Sequence, residues 1–304
     1  MKLSQLRCFL GVVEAGTVRQ AARNLHLSQS SVTKNIQLLE ESLKTELFHR
    51  ETHGLTPTAA GRMLAKRAKT VEAELRQVRN DMEAIHGGNG GEIRISASPT
   101  VMVGLLPRAV SNFRKTRRQV GFHIEEGVYP DVLSAVRMGE LDFAIALVPE
   151  KLPDEDLHCE LLLQDYLTPA VRVDHPLTRK TKLVLTDLLE LDWVIYRRSQ
   201  SGRDIYEHTF TANGLQPPRN NIECTSFACI LALVENSDCV TLVPTQIFAD
   251  RPRKMSITPL FMGTPMPPWN MTVISRARHE LSPLCAAFLD ELRATAERIR
   301  ISAA

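Results

Sequence analysis

The glycine-rich segment His86–Glu92, which reads HGGNGGE, constrains this 304-residue chain more than any other feature. Four glycines in seven residues cannot continue a helix, and they leave a flexible hinge between the segments on either side. Helical patterns dominate before the hinge, whereas short apolar runs alternate with helical segments after it. A chain of this length ordinarily folds into two or three domains, each with its own core. We therefore expect a domain boundary at residues 88–91.

Two short helical patterns joined by a tight turn lie near the amino terminus. The segment Ala22–Glu41 reads ARNLHLSQSSVTKNIQLLEE. Ser28 is suited to cap the second helix, because a serine hydroxyl accepts a hydrogen bond from a free amide in the first turn. Val32, Ile36 and Leu39 then share one face of that helix, which leaves the opposite face polar. This arrangement predicts a helix-turn-helix.

The next segment, ELFHRETHGLTPTAAG, carries strand-like residues around a His-Gly turn and predicts a small β-wing. Thr56 followed by Pro57 is a helix-start signal, and apolar residues at coiled-coil-like intervals continue from there to Ile85. We expect a helix of about 29 residues, roughly 43 Å long. A single helix of this length cannot bury its apolar residues by itself, so we expect them to pack against a second copy of the chain.

The polar face of the second helix suits a DNA groove, where the first turns must be small and polar enough to approach base edges and phosphates. Gln29 can pair with adenine, and Lys34 can reach a phosphate. The candidate DNA-binding residues in this helix and the wing are Gln29, Ser30, Ser31, Thr33, Lys34, Arg50 and His53. A solvated helix face would look the same in isolation, but the wing and long helix that follow favour DNA binding.

The charge is distributed unevenly between the two parts of the chain. Residues 1–91 hold 13 Lys and Arg against 9 Asp and Glu, whereas residues 92–304 hold 24 against 26. The basic excess therefore lies in the amino-terminal part, which is the direction expected if that part meets a polyanion.

Beyond the hinge, strand and helix patterns alternate in a way that predicts parallel sheets covered by helices. Ligands of such sheets sit at the carboxyl ends of the strands, where helix amides are free. Hydroxyls near an arginine at these junctions suit a small carboxylate. The candidate effector-binding residues are Ser98, Thr100, Val148, Gln200, Ser201, Arg203, Ser226 and Phe227. Helix capping is an alternative role for each hydroxyl, and Arg203 could be solvated instead.

Catalytic motifs are missing from the sequence. It contains no GxSxG elbow, P-loop, GxGxxG after a strand, HExxH or CxxC spacing, so we expect no enzyme, no catalytic residue, no cofactor and no metal site. An α/β enzyme is a remote alternative. No apolar stretch reaches the roughly 20 residues that span a bilayer, and the start lacks a signal-peptide pattern. These patterns favour a cytoplasmic protein without a membrane partner.

The six cysteines are dispersed along the chain: Cys8, Cys159, Cys224, Cys229, Cys239 and Cys285. A chain this large does not need disulfide bonds, so reduced and mostly buried thiols are expected. Cys224 and Cys229 flank a strand end and a helix start.

The run AARNLHLSQSSVTKNIQLLEESLKTELFHR followed by TAAG resembles the winged helix-turn-helix signature of the LysR-type transcriptional regulators. It departs from the family pattern at Ser30, where the family usually has Pro, and at Thr33, where it usually has Ser. The segments LLP, GELDFAI and LVENSDCVTLVP resemble the family's carboxy-terminal part. The resemblance implies a transcriptional regulator that binds DNA under the control of a small effector. Because some members of the family sense oxidants through a thiol pair, the resemblance also leaves open an alternative in which Cys224 and Cys229 sense oxidants.

The same resemblance implies a fold and a set of partners. The fold is α/β with an α-rich winged helix-turn-helix amino-terminal domain and a periplasmic-binding-protein-like pair of α/β subdomains. The implied segments are the DNA-binding domain at 1–57, the linker helix at 58–87, the hinge at 88–91, subdomain I at 92–164 and 268–304, and subdomain II at 165–267. The implied partners are double-stranded DNA with an interrupted palindrome, a small-molecule effector, a second copy paired through the linker helix, a homotetramer, and RNA polymerase.

Overall fold

The computed structural model describes residues 1–51, 54–85, 90–148, 155–197, 201–249, 256–262 and 268–303. The chain divides into two compact units. One comprises residues 1–79 with 138–140, and the other comprises residues 80–137 and 141–304. Among the described residues, no helix combines the length and the apolar character needed to cross a membrane.

The amino-terminal unit contains the helix-turn-helix and wing that the sequence predicts. Its elements are α1 (Leu3–Ala15), α2 (Val18–Asn24), α3 (Gln29–Leu43), β1 (Phe48–Glu51) and β2 (Gly54–Pro57). Phe9 is fully buried, with its ring centroid 5.3 Å from that of Phe48. The Leu55 amide donates to the Gly16 carbonyl at 2.9 Å, which ties the wing to the end of α1. The wing therefore belongs to the same core as the three helices.

Helix α4 (Ala59–Ile85) runs for 27 residues, close to the predicted length. Its start differs from the prediction, because Pro57 pairs with Phe48 and completes the wing instead of opening the helix. Thr58 caps α4: its hydroxyl accepts from the Gly61 amide at 3.0 Å and donates to the Glu46 carbonyl at 2.9 Å.

The first sheet of the carboxy-terminal unit contains β3 (Glu92–Ala97), β4 (Gly121–Glu126), β5 (Phe143–Leu147), β6 (Leu157–Arg172) and β11 (Pro268–Arg276). Its strand order is β4-β3-β5-β11-β6. The covering helices are α5 (Pro99–Val103), α6 (Leu105–Thr116), α7 (Val132–Arg137) and α10 (Pro283–Ala303). Within this sheet β3, β4 and β5 pair in parallel, whereas β11 runs antiparallel to both β5 and β6. The predicted parallel pairing is therefore present, and antiparallel strands extend the sheet beyond it.

The second half of this unit is built on the far end of β6. Its other elements are β7 (Trp193–Tyr196), α8 (Ser201–Thr211), β8 (Asn221–Cys224), α9 (Phe227–Glu235), β9 (Thr241–Pro244) and β10 (Ile257–Pro259), with short 3-10 helices at Pro176–Arg179, Leu185–Leu188 and Thr245–Ile247. Strand β6 pairs with β11 up to Tyr166 and with β9 and β10 from Leu167 onward. One 16-residue strand thus belongs to both halves.

Candidate DNA-binding surface and effector cleft

Helix α3 presents the predicted recognition residues on one face. Gln29, Ser30 and Lys34 are exposed, Thr33 is half-buried, and all four fall within less than half a turn of the helix circumference. The side chains of Val32, Ile36 and Leu39 are buried, so the remaining face of α3 is held against the core of the unit. The first turns of α3 therefore offer solvent a polar surface on a fixed support.

The amino-terminal end of α3 is capped by Ser28, whose hydroxyl accepts from the Ser31 amide at 3.1 Å. The same hydroxyl lies 3.0 Å from the Ser30 hydroxyl. Ser31 lies to the side of the recognition face, and its carbonyl accepts from the Asn35 side chain at 2.9 Å. Ser31 thus has a local hydrogen-bonding role in addition to its predicted one.

Of the two predicted DNA-binding residues in the wing, the structure describes one. Arg50 lies in β1 opposite Leu55, and His53 lies outside the described residues. A groove of about 780 Å³ separates α3 from the wing, with Thr33 and Gln37 on one side and Glu51 on the other. The Glu51 carboxylate accepts from the Thr56 hydroxyl at 2.7 Å. Because carboxylates line this groove, the outer face of α3 is better suited to a phosphate backbone than the groove is.

In the carboxy-terminal unit, Ser98 and Thr100 follow the carboxyl end of β3. Both are buried, and their hydroxyls lie 3.5 Å apart. Ser98 occupies the cap position of α5, yet its side chain makes no capping hydrogen bond. Its amide donates to the Ile145 carbonyl of β5, three residues before half-buried Val148. The structure therefore brings three predicted effector residues to the adjacent ends of β3 and β5.

Ser226 and Phe227 lie at the carboxyl ends of β7 and β8. The Ser226 hydroxyl caps α9 by accepting from the Cys229 amide at 3.4 Å. Phe227 is buried and stacks on Tyr196, with ring centroids 6.1 Å apart. Helix capping thus accounts for the Ser226 side chain, and core packing accounts for that of Phe227. Both residues nevertheless lie next to the carboxyl ends of β7 and β8. Gln200 lies outside the described residues, and Ser201 begins α8.

Tyr196 is a residue of this site that the sequence analysis missed. It ends β7, and its hydroxyl is buried with no hydrogen-bond partner among the described residues. Burial raises the pKa of Tyr196, and the charge of Glu126 at the end of β4 acts in the same direction. Buried hydroxyls are nearly always paired, so this hydroxyl, at a strand end and unpaired among the described residues, is a candidate contact for a ligand. The only sequence signal was a tyrosine closing the apolar run WVIY.

Arg203 does not offer the free guanidinium expected from the sequence. It is 7% exposed and forms ion pairs with Glu207 at 2.7 Å and Glu223 at 3.2 Å. Its guanidinium also lies 5.6 Å from the ring centroid of Tyr206. Two carboxylates already compensate this charge, which gives Arg203 a structural role.

A buried polar network lies where β6 passes from one sheet to the other. The Asp165 carboxylate accepts from the Thr245 hydroxyl and from the Gln246 amide, the latter at 3.2 Å. Burial raises the pKa of Asp165, although these hydrogen bonds oppose the shift. The side-chain carbonyl of Gln246 in turn accepts from the Leu105 amide at 3.2 Å. The start of α6 is therefore held by a residue from the other half of the unit.

Comparison with known proteins decides the family. A family model described as the LysR substrate binding domain matches residues 86–297, well over half of the chain. A second model, described as bacterial regulatory helix-turn-helix protein of the lysR family, matches residues 3–62. The chain belongs to the LysR family. This LysR-type regulator is accordingly a DNA-binding transcriptional regulator with an effector-binding domain.

Relatives and solved structures agree with this assignment. CysL of Bacillus subtilis is 29% identical to this LysR-type regulator over 212 residues, 70% of each chain. PcaQ of Agrobacterium fabrum is 27% identical over 275 residues, which cover 90% of this chain and 88% of PcaQ. Full-length CbnR in complex with its target DNA has a TM-score of 0.71 at 22% identity, covering 97% of this chain and 100% of CbnR. OxyR from Pseudomonas aeruginosa has a TM-score of 0.69 at 20% identity, covering 99% and 95%. The structural likenesses establish the fold.

Proposed function

We propose that this LysR-type regulator reads an interrupted palindrome with the exposed face of α3 and responds to a small effector bound in the carboxy-terminal unit. The observation that carries the first part is the arrangement of α3, with exposed Gln29 and Lys34 opposite buried Val32 and Leu39. Dimers of a helix-turn-helix protein bind half-sites about one helical turn, roughly 34 Å, apart. Ser30, Ser31, Thr33, Arg50 and His53 complete the proposed DNA-binding set.

The roles of Gln29 and Lys34 differ, so their substitutions separate sequence reading from phosphate contact. We expect Gln29→Ala to cost about 1–3 kcal/mol of operator binding and to relax the preference at one base pair. We expect Lys34→Ala to weaken binding to all sequences and to lower the salt dependence by about one released counterion. Fluorescence anisotropy at several salt concentrations, with operator and random DNA, measures both effects.

A matched control for Lys34 is Lys66, which is exposed on α4 and lies outside the proposed surface. Lys66→Ala should leave the salt dependence unchanged. The proposed surface is wrong if Gln29→Ala and Lys34→Ala bind the operator as the unmodified protein does. Circular dichroism of each variant shows whether a loss of binding reflects loss of folding.

The pairing of two copies through α4 is part of the same proposal. Met63, Val71, Val78 and Met82 are exposed along this helix at 43% or more of their surface. A long helix with such an apolar stripe gains most by packing against a second copy. Sedimentation velocity of the full chain should give a dimer or tetramer, and a monomer at micromolar concentration would exclude this arrangement. We also propose that the regulator contacts RNA polymerase, and a separate binding assay with the polymerase tests that contact.

The proposed effector site lies at the strand ends that carry Ser98, Thr100, Val148 and Ser226, with Tyr196 added by the structure. Ser98 is buried without capping a helix, and the Tyr196 hydroxyl is unpaired among the described residues. Hydroxyls donate to oxygen acceptors, so the effector is a small molecule with such acceptors, a carboxylate included. Gln200 and Ser201 remain in the proposed effector site because they lie where the sequence passes from the end of β7 to the start of α8. Arg203 supports the site through its ion pairs with Glu207 and Glu223.

A thermal-shift screen of the full chain tests the effector site, with carboxylates and their neutral amides compared in parallel. A ligand at 100 times its dissociation constant stabilises by about 2.7 kcal/mol, which moves the midpoint by roughly 5–10 °C. Ser98→Ala should abolish the shift. Ser111→Ala is the control, because Ser111 is exposed on α6, away from the strand ends. No shift from a broad panel in folded protein would instead favour a thiol-based sensor that uses Cys224 and Cys229, the alternative that the family resemblance leaves open.

A further inference from the structure

Positive charge is concentrated around α6 without any negative charge nearby in the sequence. Residues 93–124 contain no aspartate or glutamate and six basic residues: Arg94, Arg108, Arg114, Lys115, Arg117 and Arg118. The last four lie in the final turn of α6 and directly after it, and we call them the α6 patch. Residues 92–304 as a whole hold 24 Lys and Arg against 26 Asp and Glu. The patch is therefore a local feature and does not follow from the composition of this part of the chain.

The α6 patch differs from other basic side chains of its unit in its partners. Three of its side chains are exposed, and that of Arg117 is half-buried. Within the described ranges no patch residue forms an ion pair, whereas five other cations pair with a carboxylate at 2.6–2.8 Å: Arg172, Lys180, Arg293, Arg298 and Arg300. Helix α10 packs against α6, and its three carboxylates each pair with an arginine of α10 itself: Asp290 with Arg293, Glu291 with Arg298, and Glu297 with Arg300.

Two guanidinium groups of the α6 patch are held by contacts that leave their charge uncompensated. Arg114 donates to the Arg118 carbonyl at 3.2 Å, and the Arg117 guanidinium lies 4.7 Å from the ring centroid of Phe113. A carbonyl oxygen and an aromatic ring orient a cation without neutralising it. The dipole of α6 supplies only about half a negative charge at its carboxyl end, against four cations. The patch is thus an oriented group of cations that suits an anionic partner.

The surface around the α6 patch suits a phosphate backbone better than an acidic protein. Protein interfaces are centred on apolar and aromatic side chains that become buried on binding. From Leu105 to Val120, no leucine, valine or aromatic side chain is exposed. The exposed neighbours of the patch include Ser111, Thr116 and Gln119, whose hydroxyl and amide groups are typical donors to phosphate oxygens. Three of the four cations are arginines, whose planar donor groups match phosphate in pairs.

We propose that the α6 patch contacts DNA phosphates outside the half-sites that α3 reads, as a second and sequence-independent contact. This inference rests on the proposed function for the reading of the half-sites, and it adds a DNA contact on the other unit. DNA bound by the amino-terminal unit is tethered to the patch through the chain, so flanking phosphates reach it at a high effective concentration. Each cation that neutralises a phosphate releases a counterion, which contributes to the salt dependence of binding and not to sequence preference.

The test measures the affinity of the full chain for two operator fragments over a range of salt concentrations. The short fragment ends at the two half-sites, as located by footprinting, and the long fragment carries flanking duplex on both sides. In Lys115→Gln/Arg118→Gln we expect the slope of log affinity against log salt on the long fragment to fall by about two. The ratio of the affinities at about 50 mM and about 200 mM salt then drops roughly tenfold. The slope on the short fragment and the preference for operator over random DNA should not change.

A matched control removes the same charge elsewhere on the unit. Arg298→Gln/Arg300→Gln replaces two exposed arginines of α10 that are ion-paired, so both slopes should stay as in the unmodified protein. The variant Lys115→Arg/Arg118→Lys keeps the charges of the α6 patch and should also keep the slope on the long fragment. Circular dichroism of each variant verifies its folding.

Three outcomes overturn the inference. The first is an unchanged slope on the long fragment in Lys115→Gln/Arg118→Gln, including the case in which this variant loses affinity for an acidic protein such as a polymerase subunit. The second is an equal fall of that slope in the α10 control, because net charge would then explain it. The third is an equal fall on the short fragment, which would place the contact within the half-sites.

The failure of this inference can be distinguished from the failure of the proposed function. An unchanged slope in the patch variant, together with weakened operator binding by Gln29→Ala and Lys34→Ala, would remove the inference alone. Normal operator binding by Gln29→Ala and Lys34→Ala would instead remove the proposed role of α3.

Discussion

The two units of this regulator place their polar groups differently. In the amino-terminal unit, Gln29 and Lys34 stand on the outer face of a helix whose inner face is apolar. In the carboxy-terminal unit, Ser98, Thr100 and Asp165 are buried at the ends or crossings of strands. A surface that meets DNA needs only a fixed support, whereas a site that encloses a small molecule must take polar groups out of water. The second arrangement costs stability, and that cost can be measured.

The largest expected effect tests whether the two units have separate cores. Phe9 and Phe288 are both fully buried, one in each unit, and Phe288 lies 4.9–5.1 Å from the ring centroids of Phe113 and Phe122. Phe9→Ala and Phe288→Ala should each cost about 3–5 kcal/mol, because a large buried side chain leaves a cavity. Calorimetry should show each substitution lowering the transition of its own unit. A single transition shifted equally by both variants would contradict separate cores.

The next effect distinguishes a functional polar group from a structural one. Tyr196→Phe removes a buried hydroxyl that has no partner among the described residues, and it keeps the ring that stacks on Phe227. We expect the variant without ligand to be more stable by about 1 kcal/mol, since an unpaired buried polar group is costly. Urea denaturation measures this gain, and effector binding should weaken in the same variant.

Tyr206→Phe is the matched control for Tyr196, because the Tyr206 hydroxyl donates to the Pro218 carbonyl at 3.4 Å. This substitution should be neutral or destabilising. If Tyr196→Phe destabilises the ligand-free protein as well, then the Tyr196 hydroxyl is satisfied in solution and the contrast between the units weakens.

The same contrast explains which features the sequence could predict. The caps and helix faces of the amino-terminal unit depend on neighbours within four residues, so Ser28 and the buried face of α3 were predictable. Most short strands of the carboxy-terminal unit were also predicted, including those that end at Ala97, Leu147 and Tyr196. Their carboxyl ends located the candidate site, because parallel strands end at one edge.

The features that were missed depend on partners far along the chain. Strand β6 runs through Pro169, a residue that predicts a break, because its length follows from pairing with β11, β9 and β10. The ion pair between Arg203 and Glu223 joins residues 20 positions apart on a helix and a strand. Pro57 matched a helix-start signal, but the strand partner Phe48 decided its role. Local pattern cannot reveal such pairings, since it carries no register between distant segments.

The smallest expected effect separates capping from ligand binding among the predicted hydroxyls. Ser226 caps α9, whereas Ser98 occupies a cap position without making the hydrogen bond. Ser226→Ala should therefore cost about 1 kcal/mol of unfolding free energy, and Ser98→Ala should cost less than half of that value. Ser28→Ala provides the reference for a cap in the other unit, where the hydroxyl accepts at 3.1 Å. Equal losses from Ser98→Ala and Ser226→Ala, measured by urea denaturation, would mean that Ser98 also caps in solution. Its burial would then be structural, and the carboxy-terminal unit would resemble the amino-terminal one in using its serines as caps.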